Sequence, residues 1–138
     1  MPQPFHLAIP VTNLADAEAF YGTLLGCQKG RSDTKWIDWN FFGHQLVTHC
    51  VETMPSPPSH NGVDNHAVPV PHFGVVLSMP DWQALASKLE KAQIAFVIAP
   101  YIRFKGQSGE QATMFFTDPF GNALEFKAFA DMEQLFAT

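Results

Sequence analysis

The sequence predicts an α+β fold in which two tandem βαβββ units form one curved mixed sheet around a cavity. Each half of the chain opens with a short apolar run and a helical pattern, and β-like segments follow in each half. The halves also align residue by residue. Because one such unit cannot close a sheet of its own, two units are expected to complete it. The 138 residues are enough for a single domain.

The first unit is expected at about residues 4–52. It begins with an apolar β-like run that ends at Val11. Asn13 is the predicted N-cap of a helix whose apolar residues recur at helical spacing, and Gly26 ends that helix. Two β-like segments flank Gly43, which predicts a hairpin there.

Residues 53–71 differ sharply in composition from the rest of the chain. They contain five prolines and few large apolar groups. Proline prevents the formation of a strand ladder, so this stretch is predicted to be a linker or a surface loop. Long loops of this kind often cover binding sites.

The second unit, at about residues 72–130, repeats the pattern of the first. His72 opens its first strand, and Asp81 is the predicted N-cap of its helix. The last two strands are joined by residues 118–121, whose sequence DPFG is typical of a type I turn. A short amphipathic helix at residues 132–136 is expected to end the chain.

Composition excludes several classes of partner. The formal charge of -5 leaves no basic stripe for nucleic acid. No apolar run approaches the roughly 20 residues that span a bilayer, and the first residues do not resemble a secretion signal. Cys27 and Cys50 lie outside any CxxC spacing, so both are expected to be reduced and buried, as in a cytoplasmic protein.

The repeat points to three candidate metal ligands. His6 and His72 each open the first strand of their unit, and the segment FGHQLV ending at Val47 aligns with FGNALE ending at Glu125, 78 positions later. Two imidazoles and one carboxylate form a facial triad that leaves coordination positions open, as a catalytic metal requires. A single histidine or glutamate at such a strand position is more often an exposed polar residue than a metal ligand.

Three segments resemble the vicinal oxygen chelate superfamily of glyoxalase, bleomycin resistance and extradiol dioxygenase proteins. They are FHLAIPVTNLADAEAFYGTLLGC, PHFGVVL and FFTDPFGNALEFK. DPFGNALEF matches the family's DPxGNxxE pattern around a glutamate ligand. The resemblance implies that His6, His72 and Glu125 hold one divalent metal ion, with Fe(II) favoured and Mn, Ni or Zn as alternatives.

One departure from the family pattern affects the expected reaction. Glyoxalase I-like members have a fourth ligand in the last strand of the first unit, where this alignment places Val47. A three-ligand site resembles the extradiol dioxygenases and the fosfomycin resistance enzymes, so an extradiol-type dioxygenase is favoured. If the alignment shifts, Gln45 or His49 takes the place of Val47.

Other polar residues are weaker candidates. His49 shares strand parity with Val47 and is a candidate acid–base residue, or else a hydrogen-bonded histidine outside the pocket. In the predicted loop 101–111, Arg103 and Lys105 are candidates for binding an anionic substrate, and the alternative is a solvated loop. The remaining histidines are assigned to solvent: His44, His60 and His66.

Two other functions compete with that of an extradiol-type dioxygenase. A glyoxalase-like isomerase, lyase or thiol transferase would use the metal only to polarise its substrate. A drug-binding protein of the same fold would need no metal. The presence of three ligand-type residues argues against this function. A homodimer is expected because family members often pair and because sheet edges benefit from cover.

Overall fold

A computed structural model describes residues 3–56, 59–63 and 66–138. The strands are β1 (His6–Val11), β2 (Gln28–Ser32), β3 (Trp36–Phe41), β4 (His44–Cys50), β5 (Ser59–Val63), β6 (His66–Val70), β7 (Val76–Leu77), β8 (Phe96–Arg103), β9 (Gln111–Thr117) and β10 (Ala123–Phe129). The helices are α1 (Leu14–Ala17), which continues as a π-helical segment (Glu18–Leu24), then α2 (Met79–Lys91) and a 3-10 segment (Met132–Phe136).

The chain divides into two compact units with the same topology. One takes the described residues before position 57 together with Asp118–Asn122, and the other takes the remaining described residues. The first contains a sheet of order β1-β4-β3-β2 and the second a sheet of order β7-β10-β9-β8. In each, the outer strands β1 and β7 pair in parallel, and the other strands pair antiparallel. The predicted α+β class with two βαβββ units is confirmed, although strand pairing gives two four-stranded sheets rather than one.

Strand register supports the predicted alignment of the two units. Leu7 is the parallel partner of Leu46 in the first unit, and Phe73 is the parallel partner of Leu124 in the second. These two pairs are the ones that the repeat alignment equates. Val47 therefore occupies in its sheet the position that Glu125 occupies in the other.

Aromatic side chains fill the core between the helix and the sheet in each unit. In the first, Tyr21 is fully buried, with ring centroids 6.3 Å from Trp39 and 6.5 Å from Phe41. In the second, the rings of Phe116 and Phe126 stack at 5.9 Å. Burial of such large apolar surfaces is the main stabilising contribution to each unit.

The turn Asp118–Asn122 is held by a buried carboxylate. Asp118 is 4% exposed and accepts a hydrogen bond of 2.7 Å from the Tyr21 hydroxyl. It also accepts bonds from the backbone amides of Phe120 and Asn122 and from the Asn122 side chain. The Asn122 side chain in turn donates to the Pro10 carbonyl at 2.8 Å. The predicted turn is confirmed, with a 3.2 Å bond from the Gly121 amide to the Asp118 carbonyl.

Helix boundaries and strand lengths differ from the sequence predictions at some places. Asn13 caps the first helix as predicted, by accepting a bond from the Asp16 amide. Asp81 does not cap α2. Ser78 does so, because its hydroxyl accepts a bond from the Asp81 amide at 3.3 Å, and Asp81 lies in the first turn.

The predicted linker and the predicted loop both contain strands. Within residues 53–71, β5 and β6 form a two-stranded antiparallel sheet. Residues 101–103 of the predicted loop 101–111 belong to β8. In contrast, the strand that was predicted to begin at His72 is shorter than expected and consists of β7 and an isolated bridge at Phe73.

Gly74 lies where two backbone segments of the second unit approach closely. A Cβ atom added at Gly74 would lie 1.6 Å from the carbonyl oxygen of Glu125. No side chain fits at that distance, so the pairing of this segment with β10 requires glycine.

We expect Gly74→Ala to lower the free energy of unfolding by about 2–4 kcal/mol, because the backbone at Glu125 would have to move away. Urea denaturation measures this change. Gly62→Ala in β5 is the matched control, since its Cβ would meet nothing within 4 Å. Equal stability of the two variants would contradict the close approach at Gly74.

A second prediction concerns alkaline pH. Burial, followed by the neighbouring Asp118 carboxylate, raises the pKa of Tyr21 well above its ordinary value. The unfolded phenol ionises near its ordinary pKa of about 10, whereas the folded one keeps its proton, so stability falls as the pH rises above that value.

The measurement is urea denaturation of wild type and Tyr21→Phe at pH values from about 8 to 11. We expect the variant to be less stable by about 1–2 kcal/mol near neutral pH, through the lost hydrogen bond. Its stability should decline less steeply above pH 10. Parallel pH profiles would show that Tyr21 ionises as easily in the folded state as in the unfolded state.

Candidate functional site

His72 and Glu125 form a close pair in the second unit. The Nε2 atom of His72 lies 3.4 Å from Oε1 of Glu125, and the two side chains are 30% and 19% exposed. His72 precedes the Phe73 bridge to β10, and Glu125 lies within β10. The structure therefore brings together two of the three predicted metal ligands.

The ring of His72 is oriented by two neighbours. Its Nδ1 atom is 2.7 Å from the carbonyl oxygen of Pro69 in β6. Because a carbonyl only accepts hydrogen bonds, Nδ1 carries the proton in this contact. The other ring nitrogen, Nε2, faces Glu125, and it has a lone pair whenever the ring is neutral. The ring also meets Phe115 edge to face, with centroids 4.8 Å apart.

Glu125 is oriented by a hydroxyl on the neighbouring strand. Thr113, 2% exposed in β9, donates a hydrogen bond of 2.6 Å to Oε2 of Glu125. This bond leaves Oε1 directed at His72. Thr113 could not be identified from the sequence, because its contact with Glu125 lies diagonally across two strands and depends on the register of β9 on β10.

The pair has the donor chemistry of a metal site. Two ligands that bind one ion at right angles, each at about 2.1 Å, lie about 3 Å apart. The observed 3.4 Å is close to that separation. Each side chain also makes a second hydrogen bond, to Pro69 or from Thr113, as metal-ligating side chains usually do. Among the residues that the structure describes, no group of three or more His, Cys, Asp or Glu side chains is arranged to hold a metal ion.

His6 lies in the first unit, exposed at the start of β1. Its Nδ1 atom is 2.9 Å from Oε1 of Gln45, its parallel partner in β4. The amide oxygen accepts from Nδ1, so Nε2 is again the nitrogen with the lone pair. Gln45, which the sequence offers as an alternative to Val47 at the fourth ligand position, is thus a hydrogen-bond partner of His6.

The other candidates on β4 lie on the same face of the first unit's sheet. Val47 is 6% exposed and lies directly across from Asp38 of β3. His49 is exposed, with Pro10 of β1 and Trp36 of β3 as its partners across the strands. Asp38 places a half-buried carboxylate beside Val47, a contact that no pattern in the sequence predicts.

Two of the three histidines that were assigned to solvent have structural neighbours. The Nδ1 atom of His44 accepts a hydrogen bond of 2.8 Å from the amide of Phe5, so that assignment is corrected. His66 is exposed but borders a cavity. His60 is exposed on β5.

The cavity lies in the second unit, beside β8, and has a volume of about 520 Å³. Arg103 is among its walls, and its guanidinium carbon lies 5.0 Å from the ring centroid of Phe104. Lys105 is in an exposed turn and is not one of the described residues that border the cavity. The structure therefore separates the two predicted substrate-binding cations.

Both cysteines are free, and Cys27 is buried whereas Cys50 is half-buried. Among the described residues, no helix has both the length and the apolar character that crossing a bilayer requires.

Comparison with known proteins identifies relatives over almost the whole chain. The chain is 32% identical to a glyoxalase/bleomycin resistance protein/dioxygenase from Alicyclobacillus acidocaldarius, with a TM-score of 0.79 over 97% of this chain and 96% of that one. It shares its fold with a genomically encoded fosfomycin resistance protein from Listeria monocytogenes, at 13% identity and a TM-score of 0.69 over 97% and 98% of the two chains.

A glyoxalase/dioxygenase from Nostoc punctiforme has the same fold, with 16% identity and a TM-score of 0.65 over 91% and 90% of the two chains. A search of curated protein sequences gives no significant match. The model of the Glyoxalase/Bleomycin resistance protein/Dioxygenase superfamily matches residues 3–126. The chain therefore belongs to the glyoxalase/bleomycin resistance protein/dioxygenase superfamily.

Proposed function

We propose that this protein is a divalent-metal-dependent enzyme that binds a small substrate through two neighbouring oxygens, with a reaction of the extradiol dioxygenase type. The single observation that carries the proposal is the arrangement of His72 and Glu125. An imidazole nitrogen and a carboxylate oxygen face each other at 3.4 Å, and each side chain is held by a second hydrogen bond. When the imidazole is neutral, both atoms carry lone pairs, and a metal cation bound by both would stabilise their approach.

His6 is the proposed third ligand. The sequence repeat and the family resemblance support it, and so does its hydrogen bond to Gln45, which leaves Nε2 available. When bound, Fe(II) would supply Lewis acidity together with redox chemistry toward dioxygen, whereas Mn, Ni or Zn are alternative ions at the same residues.

The chain's own residues would orient the ligands and exchange protons. The carbonyl of Pro69 keeps the proton of His72 on Nδ1, and the hydroxyl of Thr113 holds Glu125 in one rotamer. We assign the acid–base role to His49, whose exposed imidazole can exchange protons with solvent. Three protein ligands would leave three positions of an octahedral ion, enough for two substrate oxygens and for dioxygen, and this favours a dioxygenase.

The second candidate is a glyoxalase-like isomerase, lyase or thiol transferase. Asp38 favours it, because its half-buried carboxylate lies across from Val47, next to the position that supplies a fourth ligand in that branch of the family. Oxygen uptake with catechols, compared with anaerobic turnover of an α-ketoaldehyde and a thiol, separates the two candidates.

Metal titration tests the ligand set. We expect His6→Ala, His72→Ala and Glu125→Gln each to weaken Mn²⁺ binding by at least about tenfold, as loss of a ligand or of its supporting bond does. Calorimetry on the full chain measures the affinity. The control is His60→Ala, which removes an exposed histidine of β5. Unchanged affinity in all three variants would refute the proposal, and unchanged affinity in His6→Ala alone would remove His6 from the ligand set.

Val47→Glu tests the open coordination position. The new carboxylate would lie across from Asp38, and like charges at paired positions of a sheet repel. We therefore expect a lower melting temperature in metal-free protein. Added Mn²⁺ should restore it more than it stabilises wild type, because the ion binds the new ligand. Dioxygenase activity should fall, since the carboxylate competes with a substrate oxygen.

The control for this prediction is Val47→Gln, because glutamine has the same shape as glutamate but no charge. It should lose stability through burial of a polar group, and Mn²⁺ should not specifically restore it. If Mn²⁺ restores both variants equally, residue 47 does not face the metal.

A further inference from the structure

We infer that the cavity beside β8 is the binding site for a small apolar or aromatic monocarboxylic acid. The cavity is a cleft that is widely open to solvent, and its volume of about 520 Å³ is within the range of pockets for small organic ligands. Most of its walls are apolar, formed by side chains such as Ile98, Pro100, Ile102 and Phe104. Such walls favour a hydrocarbon or aromatic body over a sugar or a free amino acid.

Arg103 determines the charge of the expected ligand. Arg103 carries a permanent positive charge, and none of the described residues that border the cavity is acidic. Its guanidinium lies over the ring of Phe104 at 5.0 Å, which restricts its rotation. The planar guanidinium matches the two oxygens of a carboxylate. A single guanidinium does not compensate the charge of a polyphosphate, so nucleotides are disfavoured.

Tyr101 connects the cavity with the candidate metal ligands. It borders the cavity and is the strand partner of Thr113, whose hydroxyl binds Glu125. It also packs against the cluster of buried apolar residues that contains Phe115, and Phe115 meets the ring of His72. The cavity and the pair thus share one continuous set of contacts within the second unit.

This inference rests on the proposed function, because it makes the cavity the place where the body of the enzyme's substrate lies. The carboxylate binds Arg103, and the substrate extends past Tyr101 in the direction of His72 and Glu125. The substrate class is then an aromatic or alicyclic acid that carries two neighbouring oxygens away from its carboxylate.

The test is calorimetric titration of the metal-free full chain with phenylacetate and with its neutral analogue phenylacetamide. We expect phenylacetate to bind at least about tenfold more tightly, through its charge-assisted hydrogen bonds to Arg103. Wild type alone gives this comparison, so it does not depend on the folding of any variant. Equal affinities would overturn the inference.

A pair of arginine variants then locates the carboxylate. Arg103→Met should remove the preference for phenylacetate over phenylacetamide, whereas Arg31→Met should keep it, because Arg31 is exposed on β2 of the other unit. If phenylacetate binds only with Mn²⁺ present and Arg103→Met has no effect, the inference fails and the proposed metal function stands. If Arg103-dependent binding occurs but the metal titration fails, the cavity assignment stands and the proposed function falls.

Discussion

The close pairing of residues 73–74 with β10 is the constraint on which the candidate metal pair depends. The amide of Phe73 donates to the carbonyl of Ala123, and its own carbonyl accepts from the amide of Glu125. Gly74 permits this approach because it has no side chain to meet the Glu125 carbonyl. His72 is the residue immediately before this contact, so its ring is placed beside the Glu125 carboxylate by backbone geometry. Thr113 and Pro69 only refine the orientation of side chains that the backbone has already brought together.

The repeat is the part of this architecture that the sequence contains explicitly. Because two copies of one unit share spacing, the alignment of Val47 with Glu125 followed from the residues alone, and strand register supports it. Contacts that occur in one copy only were not predictable. The bond from Thr113 to Glu125 depends on a diagonal across two strands, and the bond from His72 to Pro69 depends on a segment that has no counterpart in the repeat.

That segment also shows why composition misled the prediction of a loop. In a two-stranded ribbon both strands are edges, so Pro69 can pair with His60 although it has no amide hydrogen to donate. Val68, 4% exposed, packs with Ile98, Phe115 and Ala123 and so anchors β6. A single buried valine in a stretch of polar, small and proline residues is too weak a pattern to indicate a strand. The proline-rich stretch therefore supplies both an apolar anchor and the carbonyl that orients a candidate ligand.

The turn Asp118–Asn122 has a consequence for the order in which the protein folds during synthesis. The first unit is discontinuous, because this turn belongs to it although 97 residues separate Asp118 from Tyr21 along the chain. When the ribosome has released the chain only as far as the end of the first repeat, the Tyr21 hydroxyl and the Pro10 carbonyl still lack their native partners, Asp118 and Asn122. Contacts so distant in sequence form late and slow folding. The first repeat, although synthesised before the second, completes its buried contacts only after residues 118–122 have been translated.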